Sequence, residues 1–200
     1  MISGIILSAG KSERMRGFLK PLLLIDGEKF IEVIIERMKE AGVNEIIVVL
    51  GANFEKVTSV VNFDVKVVYN ENWEQGQISS LRKGIESIED RSEGIIFTPV
   101  DHPLVKKETY RKLIKEWRKE KEKIVIPLYN GRKGHPTIFP RKFFNEILYK
   151  ELKNGARDVI RNNIEEVKYV PVEDEGVVID IDTPSDYEKF IKKRENEGHI

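Results

Sequence analysis

The chain contains no cysteine. That absence removes a disulfide framework, a thiolate nucleophile and a thiolate-bound zinc site. Histidine is scarce as well. His102, His135 and His199 are the only three, with no metal-ligand spacing between them. Net charge is also missing, since 34 basic residues balance 34 acidic ones. No overall field therefore draws the chain to nucleic acid or to an anionic membrane. No apolar run approaches membrane-spanning length. The opening Met1-Ile2-Ser3-Gly4-Ile5-Ile6-Leu7 has no basic residues ahead of its apolar stretch, so it reads as a buried strand rather than a secretion signal. A cytoplasmic enzyme is the default expectation. The many Lys and Glu residues lean toward a thermophilic source, which bears on stability and not on function.

What is present fits one α/β domain. The chain has 200 residues, 40% of them hydrophobic and 34% charged, enough for a single sizeable core. Short β-branched runs at Ile5–Leu7, Glu45–Leu50, Val65–Tyr69, Gly94–Phe97 and Ile124–Ile126 suit strands buried on both faces. Between them lie apolar residues at helical spacing: Ile31, Ile34, Ile35 and Met38; Ile78, Leu81, Ile85 and Ile88; Tyr110, Leu113, Ile114 and Trp117. Alternating strands and helices predict a Rossmann-like, doubly wound, mostly parallel sheet. Farther along, His135–Phe139 reads as a strand, Leu152, Ala156, Val159 and Ile160 as a helix, and Val167–Val172 with Val177–Ile181 as a β pair. Thr183 is a helix N-cap with Pro184 behind it. The domain is expected over residues 1–193, followed by a polar tail at 194–200.

Candidate chemistry starts where the first strand ends. Leu7-Ser8-Ala9-Gly10 delivers the chain to the carboxyl edge of the sheet, where α/β proteins bind ligands. Small residues let backbone N–H groups approach phosphate oxygens, and Arg14 and Lys20 add positive charge. This is neither a P-loop nor a Gly-x-Gly-x-x-Gly dinucleotide fingerprint. On residue types alone, a solvated loop with scattered charges is the better reading. Asp101 follows the fourth strand after a Thr98-Pro99-Val100 turn. By position it is as well explained as an ordinary turn Asp as it is as a metal ligand. Asp180 and Asp182, two apart, would share one face of a strand. Ser79 and Ser80 open a helix after Gly76, where capping and ligand binding are equally good readings. Trp73 is expected in the core.

The stretch Leu7-x-x-Gly10-x-Ser12-x-Arg14-Met15, followed by Lys20, resembles the signature of nucleotidyltransferases of the molybdenum-cofactor cytidylyl- and guanylyltransferase type. The chain departs from it at Arg16, where the pattern has Gly, although Gly17 follows. Further stretches are similar to those of the cytidylyl branch, in the same order. They are Asn70-Glu71-Asn72-Trp73-Glu74-Gln75-Gly76-Gln77-Ile78-Ser79-Ser80-Leu81, Asp101-His102-Pro103-Leu104 with Val100 in place of the usual Gly, Gly134-His135-Pro136, and Asp180-Ile181-Asp182-Thr183-Pro184. The resemblance spans nearly the whole chain.

It implies the fold of the nucleotide-diphospho-sugar transferases and a transfer of a nucleotidyl group, CMP from CTP in this branch, to a small phosphorylated acceptor such as molybdopterin, with release of pyrophosphate. Mg²⁺ is the implied cofactor, held by Asp101 and by Asp182 in preference to Asp180. Arg14 and Lys20 are implied as phosphate ligands. Leu7, Ser8, Ala9, Gly10, Asn70, Gly76, Ser79 and Ser80 are implied on the nucleotide side, with Gly134 and His135 near the acceptor. His102 and His199 are expected to be incidental. Sugar-phosphate and alcohol-phosphate acceptors stay open. So do a nicotinamide-dependent oxidoreductase and a non-catalytic nucleotide-binding domain. The partners expected are small molecules rather than nucleic acid or membrane. Nothing in the sequence selects an oligomeric state.

Overall fold

A computed structural model of the chain describes residues 1–62 and 64–192. The domain boundary at 193, the tail at 194–200 and His199 lie outside the described residues. The first strand, β1 (Ile2–Ser8), is buried along its whole length. A long loop follows, then a small hairpin, β2 (Leu24–Ile25) with β3 (Glu28–Lys29), and helix α1 (Phe30–Glu40). Next come β4 (Glu45–Leu50), α2 (Phe54–Thr58), β5 (Lys66–Tyr69), α3 (Gln77–Ile85), β6 (Gly94–Pro99) and α4 (Lys107–Lys119). The last part holds β7 (Ile124–Tyr129), β8 (Arg132–Lys133), β9 (Thr137–Pro140), α5 (Phe144–Tyr149), α6 (Ala156–Asn162), β10 (Val167–Pro171) and α7 (Pro184–Tyr187).

The main sheet runs β10-β7-β9-β6-β1-β4-β5, with β8 paired to β7. The pairs β6-β1, β1-β4, β4-β5 and β7-β10 are parallel, and β9 runs against both of its neighbours. Side-chain alternation along the strands sorts the core into two layers. Ile2, Ile6, Val48 and Leu50 join α1 and α4 on one face, while Ile5, Leu7, Ile47 and Val49 join α3, α5 and α6 on the other. Unbroken apolar strands are what two covered faces require. The chain moves outward from β1 to β4 and β5, then returns to the other side of β1 as β6. That reversal makes the crevice beyond the carboxyl ends of β1 and β6 the ligand position of such a sheet. No helix among the described residues is long and apolar enough to cross a membrane.

Three local expectations are corrected. Thr98 and Pro99 belong to β6, opposite Ile6 and Leu7, rather than to a turn. Val100 N–H donates to Leu7 O at 3.0 Å. By alternation the Pro99 nitrogen faces β9, whose pairing with β6 stops at Phe97, so its missing N–H costs no ladder bond. Val167–Pro171 pairs with β7 and not with Val177–Ile181. The latter segment is a short 3-10 turn, Glu175–Val178, followed by irregular backbone.

The cause of that last difference is Asp174, a buried carboxylate. It accepts from Gly176 N (3.0 Å), Lys106 N (2.8 Å) and Thr109 Oγ1 (2.6 Å). The last two contacts cap the start of α4, whose own N-cap residue Lys106 supplies no side-chain cap. Residues 174–182 are thus drawn across the sheet edge as a clamp. Ile181 N–H donating to Asp101 O at 2.8 Å ties the clamp to the end of β6.

Candidate active site

The loop after β1 is shaped by its own backbone. Ser12 and Arg16 both sit in the left-handed region, at φ 58° and 51°, with Gly17 at 98°. Arg16 therefore occupies a conformation that suits the glycine found there in the resembling signature. Met15 is buried and pins the loop to the body of the protein. Ser12 Oγ accepts from Lys20 N at 3.2 Å, folding the loop back on itself. On the outer side, Ala52 N donates to Ala9 O at 3.0 Å, and Gly51 lies so close that a β-carbon there would stand 2.6 Å from that oxygen and 2.7 Å from Trp73 Cβ.

Lys20 is thereby delivered to two carboxylates. Its Nζ is 3.0 Å from Asp101 Oδ2 and also bonds Asp182 Oδ1. Arg14 Nη1 reaches the other oxygen, Asp182 Oδ2, at 2.6 Å. The Lys20 side chain is only 12% exposed. Burial pulls its amine toward neutrality, but the charges and hydrogen bonds of Asp101 and Asp182 outweigh that and raise its pKa above 10.5. Burial pushes Asp182 up, and Lys20 and Arg14 more than reverse it, leaving Asp182 below 3.8. Asp182 owes its position to the Thr183/Asp186 capping box, whose Asp186 Oδ2 accepts from Asp182 N at 3.2 Å and Thr183 N at 2.8 Å. Asp180 sits beside Asp182, is exposed and lines a neighbouring cavity.

The loop, the end of β6 and the start of α3 enclose a cavity of about 540 Å³. Leu7, Ser8, Ala9, Gly10, Arg14, Lys20, Gly76, Ser80 and Asp101 all line it. Ser8 Oγ is buried there without a hydrogen-bond partner among the described residues, a polar group left for a ligand. Trp73 is half-buried in the cavity wall, with Lys11 Nζ 5.0 Å from its ring centroid, and is not core. Asn70 and Ser79 lie behind the wall. Asn70 Nδ2 donates to Ser79 Oγ (2.9 Å) and Ser80 Oγ (3.0 Å), its Oδ1 accepts from Asn72 N (3.0 Å), and Ser79 Oγ donates to Gly76 O (2.8 Å). This buried network fixes the turn into α3 and leaves Ser80 and Gly76 at the cavity.

A second cavity, of about 1000 Å³, shares Leu7, Gly76 and Gln77 with the first. Gly134 and His135 line it. A β-carbon on Gly134 would collide with the Val177 carbonyl, and His135 N donates to that oxygen at 2.9 Å. His102, expected to be incidental, is buried, lines the same cavity, packs on His135 at 4.9 Å between ring centroids, and brings Nε2 to 3.8 Å from Asp101 Oδ1. Burial, with His102 and Arg157 nearby, holds His135 down at about 3, and burial also lowers His102. Lys11, Gln77 and the cations of the second cavity are site residues that sequence reasoning does not single out. No short motif marks them.

Asp101 and Asp182 converge on one cation, and they are oxygen donors of the kind Mg²⁺ accepts from one or two carboxylates beside a phosphate ligand. Among the described residues no three acidic, His or Cys side chains form a complete cage. A metal here would be shared with the ligand.

Comparison with known proteins agrees with this geometry. The MobA-like NTP transferase domain pattern matches residues 4–167. Over 190 residues the chain is 24% identical to a molybdenum cofactor cytidylyltransferase of Escherichia coli, covering 93% of each chain. Over 191 residues it is 27% identical to a nicotine blue oxidoreductase of Paenarthrobacter nicotinovorans, covering 91% of this chain and 92% of the other. The crystal structure of Rv0371c from Mycobacterium tuberculosis superposes with a TM-score of 0.85 at 28% identity, covering 96% of this chain and 97% of that one, and that protein has also been solved with manganese. The mostly parallel sheet is that of the nucleotide-diphospho-sugar transferase fold. The chain belongs to the MobA-like NTP transferase family and is a nucleotidyltransferase.

Proposed function

We propose that the chain transfers CMP from CTP to the phosphate of molybdopterin, with Mg²⁺ as cofactor. The observation that carries the reading is the Lys20 bridge between Asp101 and Asp182 beside the cavity that residues 7–14 help to line. The choice of CTP and molybdopterin rests on the Gly134-His135-Pro136 and Asp180–Pro184 stretches and on the full-length similarity to a molybdenum cofactor cytidylyltransferase.

In this reading the triphosphate lies along Ser8–Lys20, with backbone N–H groups and Ser8 Oγ toward its oxygens. An acceptor phosphate oxygen forms a bond to the α-phosphorus, the bond from that phosphorus to the β-bridging oxygen breaks, and pyrophosphate leaves with the electron pair. Lys20 and Arg14 meet the charge that grows on the departing group. The acceptor is already an anion, so no general base is required. Mg²⁺ held by Asp101 and Asp182 would supply further charge neutralisation at the α-phosphate.

The test is thermal unfolding of the wild type and Asp101→Asn with CTP, GTP, ATP, UTP or NADH, each with and without Mg²⁺. A ligand at a hundred times its dissociation constant adds about 2.7 kcal/mol. A Mg²⁺-dependent shift with CTP that the variant loses supports the reading, and formation of the cytidylylated acceptor completes it. A shift with GTP alone would move the assignment to guanylyl transfer. A shift with NADH alone would favour the oxidoreductase activity named for one relative.

A further inference from the structure

The second cavity has an unusual charge balance for a chain of zero net charge. Arg132, Lys133, Lys153, Arg157 and Arg161 line it, against only Asp158 and Asp180. Asp158 is already engaged. It accepts from Asn154 N (2.8 Å), Asn154 Nδ2 (2.9 Å) and Arg161 Nη2 (2.8 Å). Elsewhere on the surface many cations have acidic partners, for example Lys107 with Glu40 and Lys168 with Glu116 and Glu120. Around this cavity, Lys133 lies over the Tyr169 ring (4.7 Å), Arg132 touches only the Val178 carbonyl at 3.4 Å, and Arg157 is exposed without a carboxylate partner among the described residues. Arg157 also stands close enough to His135 for its charge to oppose protonation of that ring. A line of side chains therefore runs from Asp101 through His102 and His135 to Arg157, inside a cavity continuous with the nucleotide cavity.

His102 and His135 each have a buried Nδ1 without a partner among the described residues. The floor, with Leu81, Phe97 and Ile126, is apolar. A planar five-donor fork with no carboxylate partner among the described residues, at a cavity lined by further cations, fits a phosphate monoester.

We propose that Arg157 is an acceptor-binding residue that clamps the phosphate of the acceptor, with Lys153 and Arg132 adding charge around it. The inference rests on the transferase reading and names the residue that selects a phosphorylated acceptor. The cations then divide between the two substrates. Lys20 and Arg14 serve the nucleotide, and Arg157 serves the attacking phosphate.

The experiment uses the full chain with its nucleotide cavity filled by the non-hydrolysable α,β-methylene analogue of CTP and Mg²⁺. Inorganic phosphate is then titrated at constant ionic strength while the unfolding midpoint is followed. Wild type and Arg118→Ala, an exposed arginine on α4 far from the cavity in sequence, should gain the same saturable rise. Arg157→Ala should lose it or need at least ten times more phosphate, and Arg157→Lys should regain part of it. In transfer assays the KM for the acceptor should rise at least tenfold in Arg157→Ala, with the KM for CTP unchanged. An equal phosphate response in wild type and Arg157→Ala, or none in wild type, overturns the proposal. If the CTP analogue itself produces no shift, the transferase reading fails instead, and the phosphate titration without nucleotide still decides whether Arg157 holds an anion.

Discussion

The two cavities sit side by side and share three residues, yet they are built in opposite ways. Half of the lining of the smaller one comes from a single stretch, Leu7–Lys20, held by its own turns and by backbone contacts to Ala52 and Val100. The larger one is collected from more scattered segments, chiefly around residues 75–81, 132–137, 152–164 and 177–180, with Phe97, His102 and Ile126, and is held together by side chains and by the clamp that Asp174 anchors. A site built from one local stretch keeps its spacing wherever the fold recurs, because its geometry is set by consecutive backbone dihedrals. A site gathered from distant segments can exchange side chains one at a time. In the proposed transferase reading the first would serve the triphosphate and the second the acceptor.

The contrast is tested most severely at the carboxylates between the cavities. Asp101→Ala should lower transfer by at least about a thousandfold whatever the acceptor. Circular dichroism and the unfolding midpoint should show an intact fold. Near-normal transfer would end the assignment of Asp101.

Asp174→Ala tests the clamp. It leaves Lys106 N–H, Gly176 N–H and the Thr109 hydroxyl without their acceptor, so urea denaturation should report a loss of about 3 kcal/mol. If the loss is that large while CTP binding to the surviving folded protein is normal, the nucleotide cavity is independent of the clamp. If both fail together, the two regions are less separable than their construction implies.

Acidification probes the second cavity through His135. Its folded pKa of about 3 lies below the ordinary value near 6.5, so the unfolded chain takes up the proton first. The contribution is fully present above pH 6.5 and is lost as pH falls from there toward 3, at up to about 1.4 kcal/mol per pH unit. His135→Gln should flatten the stability profile in that window. An unchanged slope would mean that other groups control it.

The smallest effect belongs to the first loop. Arg16→Gly relieves a left-handed backbone but adds freedom to the unfolded chain, for a net gain of about 0.5 kcal/mol in chemical denaturation. A loss would show that the Arg16 side chain contributes more than its backbone costs.

Much of this architecture is legible in the residues themselves. Apolar runs such as Glu45–Leu50 suit strands covered on both faces, and the 3-4-7 spacing at Tyr110–Trp117 suits a helix with one buried side, because those periods follow from backbone geometry. Leu7–Lys20 is legible as a phosphate loop only through its resemblance to a family signature, which a contiguous stretch makes possible. Other parts depend on contacts that no local pattern announces. Val177–Ile181 has strand-forming residues, but Asp174 caps a helix 65 residues earlier in the chain and takes the segment away from the sheet. Trp73 has the size of a core residue, yet Gly51 and Lys11 hold it at a cavity wall.

The layered α/β fold is written in the order of residues, and it is the resemblance of short stretches to a known family that singles out Arg14, Lys20, Asp101 and Asp182. Folding in three dimensions was needed to establish that Asp182 rather than Asp180 meets Lys20, that His102 joins His135, and that uncompensated cations gather around one cavity. Those outcomes depend on which distant segments come within a few ångströms of one another. Electrostatic interaction falls with distance in space and takes no account of separation along the chain.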